Sequence, residues 1–129
     1  MFNITEKVFT MKINDKGDCI TADLKDRTKY NDLMELWNKF CDIYQGEPDL
    51  DKVNEVCTLC EEKINKVFGS DSINKIFQVD HPDDVSICYF IIKLMKKLKD
   101  FRNNQVQALF NDVEKEFEQA KPKLNKIKK

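Results

Sequence analysis

Residues 83–121 decide the fold of this chain, and they read DDVSICYFIIKLMKKLKDFRNNQVQALFNDVEKEFEQAK. No glycine or proline occurs between Pro82 and Pro122, and the apolar residues recur at steps of three and four. Because glycine and proline are the usual helix breakers, this pattern predicts one very long helix. Ordinary globular helices have ~8–20 residues, so we expect this one to kink or to extend towards a partner.

The two halves of the predicted helix differ in their apolar faces. One stripe runs along the whole helix, whereas a second apolar side is confined to the first half. We therefore expect the first half to be enclosed and the second half to lie along another surface. The polar interval at 102–105 is where we expect a kink or a break. The second side is formed by Ile87, Phe90, Leu94 and Phe101, and the long stripe by Val85, Cys88, Ile91, Ile92, Met95, Val106, Leu109, Phe110, Val113 and Phe117.

The last five residues of the long stripe are the candidate partner-binding site. They follow the part of the chain that should form the compact core, and burying each would contribute ~1.5–3 kcal/mol. We expect them to pack on their own domain, on a second copy of the chain or on a different protein. These residues are Val106, Leu109, Phe110, Val113 and Phe117.

The preceding residues predict an α+β fold, mainly helical, with an N-terminal β-hairpin at about 8–24 and a helical bundle that ends in the long helix. Turn residues at 14–18 separate the two β-prone segments. Further helices are predicted at about 28–44, 50–68 and 71–77. One hairpin face should lie on the helices or extend a partner's sheet, and it consists of Phe9, Met11, Ile13, Ile20, Ala22 and Leu24. The expected helix ends are marked by Thr28, Asp49, Gly69 and Pro82.

Length and charge limit the possible partners. The 129 residues suit a single domain, 1–120, followed by a basic tail, 121–129, that we expect to be disordered. The net charge of −1 provides no overall field for nucleic acid or anionic lipid. The most apolar window, 85–98, contains three lysines and is shorter than the ~20 apolar residues of a membrane span. We therefore expect neither a nucleic-acid partner nor a membrane partner.

Five cysteines, an odd number at irregular spacings with no leader sequence before them, indicate reduced thiols in a cytoplasm. Cys57 and Cys60 have the spacing of a zinc or redox pair, but no second pair follows, so we interpret them as core residues. His81 lies among acidic residues that we interpret as caps of the long helix. We expect Trp37 and Phe40 to lie in the core, and we predict no enzyme and no catalytic, cofactor or metal site.

The order of elements, together with VFGSDSINKIF at 67–77, resembles the small tail assembly chaperones of long-tailed phages and prophages of low-GC Gram-positive bacteria. The most recognisable piece is the Phe68-Gly69 pair followed by Ile76-Phe77. The likeness in layout covers most of residues 8–117, and the five cysteines depart from it. It implies a non-catalytic protein that coats the helical tape-measure protein, self-associates along it and keeps it soluble until tail-tube subunits polymerise.

Two alternatives remain from the residues alone. The chain could be a regulatory or structural interaction module of a mobile element, such as an adaptor or inhibitor, without a tape-measure client. It could also be an enzyme or metal protein centred on Cys57, Cys60 and His81. The partners expected under the first interpretation are a tape-measure or other coiled-coil protein and further copies of this chain.

Overall fold

The structure is a computed structural model that describes residues 8–43, 45, 47 and 49–127, with side chains to residue 118. The elements in this part of the chain are β1 (Val8–Lys12), β2 (Cys19–Asp23), α1 (Arg27–Asp42), α2 (Leu50–Phe68), α3 (Ser72–Phe77) and α4 (Asp84–Ile127). The predicted α+β class is confirmed. Residue contacts form an N-terminal unit, which ends at Lys96, and a C-terminal unit, which begins at Lys97 within α4.

The antiparallel hairpin buries one face, as its alternating sequence predicts. Phe9 lies opposite Ala22 and Met11 opposite Ile20, and all four are buried. The ring of Phe9 is 6.0 Å from that of Phe68, so this face packs on α2. Ile13 and Leu24, which were expected on the same face, follow the ends of the strands and are half-buried.

The first two helices supply much of the core of the N-terminal unit. Helix α1 begins one residue earlier than predicted, because Asp26 rather than Thr28 is its cap. The Asp26 carboxylate accepts a 2.9 Å hydrogen bond from the Thr28 amide. The predicted end at Tyr44 lies outside the described residues. The buried apolar residues are Leu33, Leu36 and Phe40 of α1 with Val56, Cys60, Ile64 and Val67 of α2.

Helix α2 has the bounds that its sequence predicts, Leu50–Phe68. The Asp49 carboxylate accepts a 2.9 Å hydrogen bond from the Asp51 amide at the start. Gly69 ends the helix with a φ of 126°, a conformation that L side chains rarely adopt. Local capping therefore fixes both ends.

Helix α4 begins at Asp84, two residues after the predicted start at Pro82. The Asp83 carboxylate is the reason, since it accepts hydrogen bonds from the Ser86 amide, at 2.9 Å, and from the Ser86 hydroxyl, at 2.7 Å. In the N-terminal unit the helix buries Ile87, Phe90, Ile91, Leu94 and Met95.

The first half of α4 was expected to be enclosed on both of its apolar sides, and this expectation is wrong for two residues of the long stripe. Val85 and Ile92 are 58% and 42% exposed, because the buried face is centred on Ile87, Ile91 and Leu94. The buried face therefore combines Ile91 and Met95 of the long stripe with Ile87, Phe90 and Leu94 of the second apolar side. Phe90 illustrates this, since its ring meets that of Phe77 edge-on at 5.4 Å.

Helical backbone continues through 102–105 to Ile127, so of the kink or break expected in this interval the break does not occur. Arg102 stays within the helix and donates a 3.3 Å hydrogen bond to Gln105. The predicted basic tail, 121–129, lies outside the residues whose side chains are described. Among the helices described, none combines the length and apolarity needed to cross a bilayer.

Candidate protein-binding surface

Five apolar side chains of the C-terminal unit form a continuous exposed surface on α4, which we call the exposed stripe. Phe110 and Phe117 are 61% and 58% exposed, whereas Phe9 of the core is 1% exposed. These are the five residues selected from the sequence as partner-binding, and that role stays a prediction. The exposed stripe consists of Val106, Leu109, Phe110, Val113 and Phe117.

The spacing within the exposed stripe is that of a coiled-coil seam. Val106, Phe110, Val113 and Phe117 alternate by four and three residues, an average step of ~3.5. At ~1.5 Å per residue the seam is about 16 Å long. Leu109 lies directly beside it. A helix with the same repeat could pack along this seam over three turns.

The flanks of the exposed stripe are polar and mostly acidic. Gln107 donates a 3.1 Å hydrogen bond to Asn111 on one side. Residues 112–118 carry four exposed carboxylates and one exposed lysine, so the exposed stripe is an apolar strip bordered by negative charge. The charged residues are Asp112, Glu114, Lys115, Glu116 and Glu118.

A second exposed apolar set lies on α4 within the N-terminal unit. Val85, Tyr89 and Ile92 are 58%, 68% and 42% exposed. Their steps of four and three are again those of a seam, but buried Ile87, Ile91 and Leu94 recur at the same steps, so the spacing does not separate the two sets. The sequence interpretation missed Tyr89 altogether.

The cysteine pair has the character of structural thiols. Cys60 is fully buried and Cys57 half-buried, and all five cysteines of the chain are free. Burial, with a smaller contribution from nearby Cys88, raises the pKa of Cys57 to about 11. Burial likewise raises the pKa of Cys60. Because the thiolate is the reactive and metal-binding form, these residues are poorly suited to either chemistry at neutral pH.

His81 has a structural partner. Its Nδ1 atom lies 2.7 Å from the Glu61 carboxylate. This contact joins the connector before α4 to α2. The capping role predicted for the neighbouring acidic residues is confirmed for Asp83 and for Asp84, which accepts from the Val85 amide at 2.8 Å. No group of three or more His, Cys, Asp or Glu residues in the described ranges is placed to hold a metal ion.

The sequence interpretation missed a charged cluster between α1 and α2. Buried Lys63 lies 2.8 Å from Asp32 and 3.0 Å from Glu35, and Lys66 lies 3.3 Å from the other Asp32 oxygen. The hydrogen bond that Lys63 donates to Asp32 lowers the pKa of Asp32 and raises the pKa of Lys63. Its residues are spaced i, i+3 on each helix, but that spacing does not show that the two helices bring them together. The cluster joins two helices and offers no reactive group.

Of the eleven large hydrophobic side chains that are exposed in the described part of the chain, five lie on the exposed stripe, which makes it the candidate surface. The chain matches no protein-family model, no curated protein and no solved structure, so its own side chains carry the functional inference.

Proposed function

We propose that this chain is a non-catalytic binding protein that covers the apolar helical surface of another protein. The observation that carries the proposal is the exposed stripe, in which two phenylalanines are more than half exposed. Contiguous apolar surface on a protein usually marks a site of interaction. A helix seam with heptad spacing fits a second helix better than it fits a small molecule.

The client we propose is the tape-measure protein of a long-tailed phage or prophage, with the chain acting as its tail assembly chaperone in the bacterial cytoplasm. Tape-measure proteins are long and helical, so they present apolar helix faces before the tail tube surrounds them. Covering these faces would keep the client soluble, and tube subunits that compete for the same surface would release it. The order of elements and the stretch at 67–77 support this identification.

Co-expression tests the proposal directly. The gene should lie between a major tail gene and a very long coiled-coil gene, and the product of the latter is the client to use. Phe110→Asp combined with Phe117→Asp places two charges on the seam, so we expect the soluble fraction of the client to fall by ~10-fold or more. The measurement is the amount of client in the supernatant with each variant.

A matched control places two new charges away from the seam. Asn104 and Ala108 are exposed on other faces of the same helix, and Asn104→Asp with Ala108→Asp should leave the client soluble. Cooperative thermal unfolding of both double variants would show that the fold is intact. If the stripe variant supports the client as well as the original chain does, the surface is wrongly assigned.

A further inference from the structure

We propose that, without a client, the exposed stripe is covered by the same stripe of a second copy of this chain, running antiparallel. The inference stands on the residues of the stripe and does not depend on which client the proposed function names. It specifies the occupant, the orientation and the register of the pair.

The register follows from the sizes of the seam residues. In the antiparallel arrangement Val106 meets Phe117 of the second copy and Phe110 meets Val113 of the second copy, and symmetry repeats both layers. Every layer then combines one large and one small side chain, which fills the interhelical space evenly. All four side chains are exposed and available for the contact.

A parallel pair would be packed less evenly. Phe110 would meet Phe110 and Val113 would meet Val113, so wide layers would alternate with narrow ones. The antiparallel pair also opposes the two helix dipoles, which is the more favourable orientation. Shape and dipoles therefore both favour the antiparallel pair.

The flanks are compatible with this register. Gln107 lies opposite Glu114 of the second copy, where its amide can donate to the carboxylate. Leu109 lies opposite Glu116, whose methylene groups can cover it. No two carboxylates face each other in these flanking positions, although the segment is acidic.

The apolar area of the exposed stripe limits how tightly two copies can associate. Five side chains of this kind, exposed by 36–61%, present on the order of 450 Å² per copy. Stable interfaces bury roughly 800 Å² per partner, so the pair should be weak. We expect half the chains to be paired at roughly 100 µM. If the proposed function holds, a pair this weak is one that a long client can displace.

Sedimentation equilibrium of the full chain, under reducing conditions and without any client, tests the pairing. Phe110→Val leaves a layer with two valines, and we expect ~10-fold weaker association. Combining it with Val113→Phe exchanges the large and small positions and restores the layer, so association should return to within ~3-fold of the original. Phe110→Asp should abolish the pair.

Two charge variants at Gln107 test the register. Gln107→Lys places a positive charge opposite Glu114 and should strengthen association by ~2–5-fold at low salt, whereas Gln107→Glu should weaken it by a similar factor. Both substitutions leave the seam unchanged. High salt should remove the difference between them.

A chain that stays monomeric at ~1 mM would overturn the proposal. A dimer that tolerates Phe110→Asp would overturn the choice of surface. The antiparallel register would be overturned if the combined exchange failed to restore association. It would also be overturned if association did not change with the sign of the charge at position 107. Failure of the co-expression test leaves these sedimentation results unaffected, so the two proposals fail separately.

Discussion

At the scale of single residues, the charged cluster between α1 and α2 shows how a polar group is kept inside the N-terminal unit. Asp32 and Lys63 are both buried and joined at 2.8 Å. Lys66 stays 3.3 Å from the second Asp32 oxygen, an ion pair without hydrogen-bond geometry. Removing Asp32 or Lys63 would leave the other buried charge with only a largely exposed partner, Glu35 or Lys66, so the loss should exceed what the pair itself contributes.

The cluster predicts a loss of stability in acid. The pKa of Asp32 is lowered in the folded protein, chiefly by the hydrogen bond from Lys63. Its contribution is therefore present above the unfolded pKa, ~3.9, and is lost as the pH falls through the lower folded pKa. We expect Asp32→Asn to lower the free energy of unfolding at pH 7. We also expect this free energy to decrease less steeply below pH ~4 than it does in the original chain. Urea unfolding at a series of pH values measures both effects.

Asp23 provides the control for this prediction. It forms an ion pair with Lys25 at 4.0 Å, and both side chains are largely exposed. Exposed pairs contribute little, so Asp23→Asn should leave the acid limb of the stability curve unchanged. If the free energy of unfolding of the Asp32→Asn variant falls as steeply in acid as that of the original chain, the cluster is not responsible for the loss of stability.

At the scale of elements, the sequence was most informative where one residue sets a boundary locally. Asp49 and Gly69 lie at the two ends of α2, and each acts on its own helix terminus, so both bounds were predicted. Alternation over 8–24 predicted the hairpin and its buried face for the same reason. The cap of α1 was misassigned by two residues, because Asp26 and Thr28 are both good cap residues.

Features that depend on distant residues were not predictable from periodicity. Asp32 and Lys63 are 31 positions apart in the chain, so nothing local reveals that they meet. On α4, Val85 and Ile92 have the same helical spacing as buried residues. Which face is covered depends on how the other elements of the N-terminal unit pack, and that information is not contained in one helix.

Gly69 gives the prediction that belongs to this scale. Its φ of 126° and ψ of 151° lie in a region that is essentially restricted to glycine. An added Cβ would meet only Ser72 Oγ at 3.6 Å, an ordinary contact, so the cost lies in the backbone. We expect Gly69→Ala to lower the free energy of unfolding by ~1–3 kcal/mol. Ser70→Ala, at the next position, should have little effect by the same denaturation measurement.

At the scale of the whole molecule, the groups that stabilise the fold and the surface that we propose for binding lie in different units. The N-terminal unit carries the core, the charged cluster and the capped helices, whereas the C-terminal unit carries the exposed stripe. The candidate site could be selected from the sequence because five large apolar residues recur on one face. Their exposure could not be predicted, because the sequence also allowed them to pack on their own domain.

The central claim is that Phe110 and Phe117 are open in the isolated chain and become covered when it binds. Hydroxyl-radical footprinting at ~1 µM, below the range of self-pairing, measures this directly, with buried Phe9 and Phe40 as internal references. We predict that Phe110 and Phe117 are modified several times faster than the references and become protected when client is added. Modification of Phe110 and Phe117 as slow as that of Phe9 in the dilute chain would contradict the account.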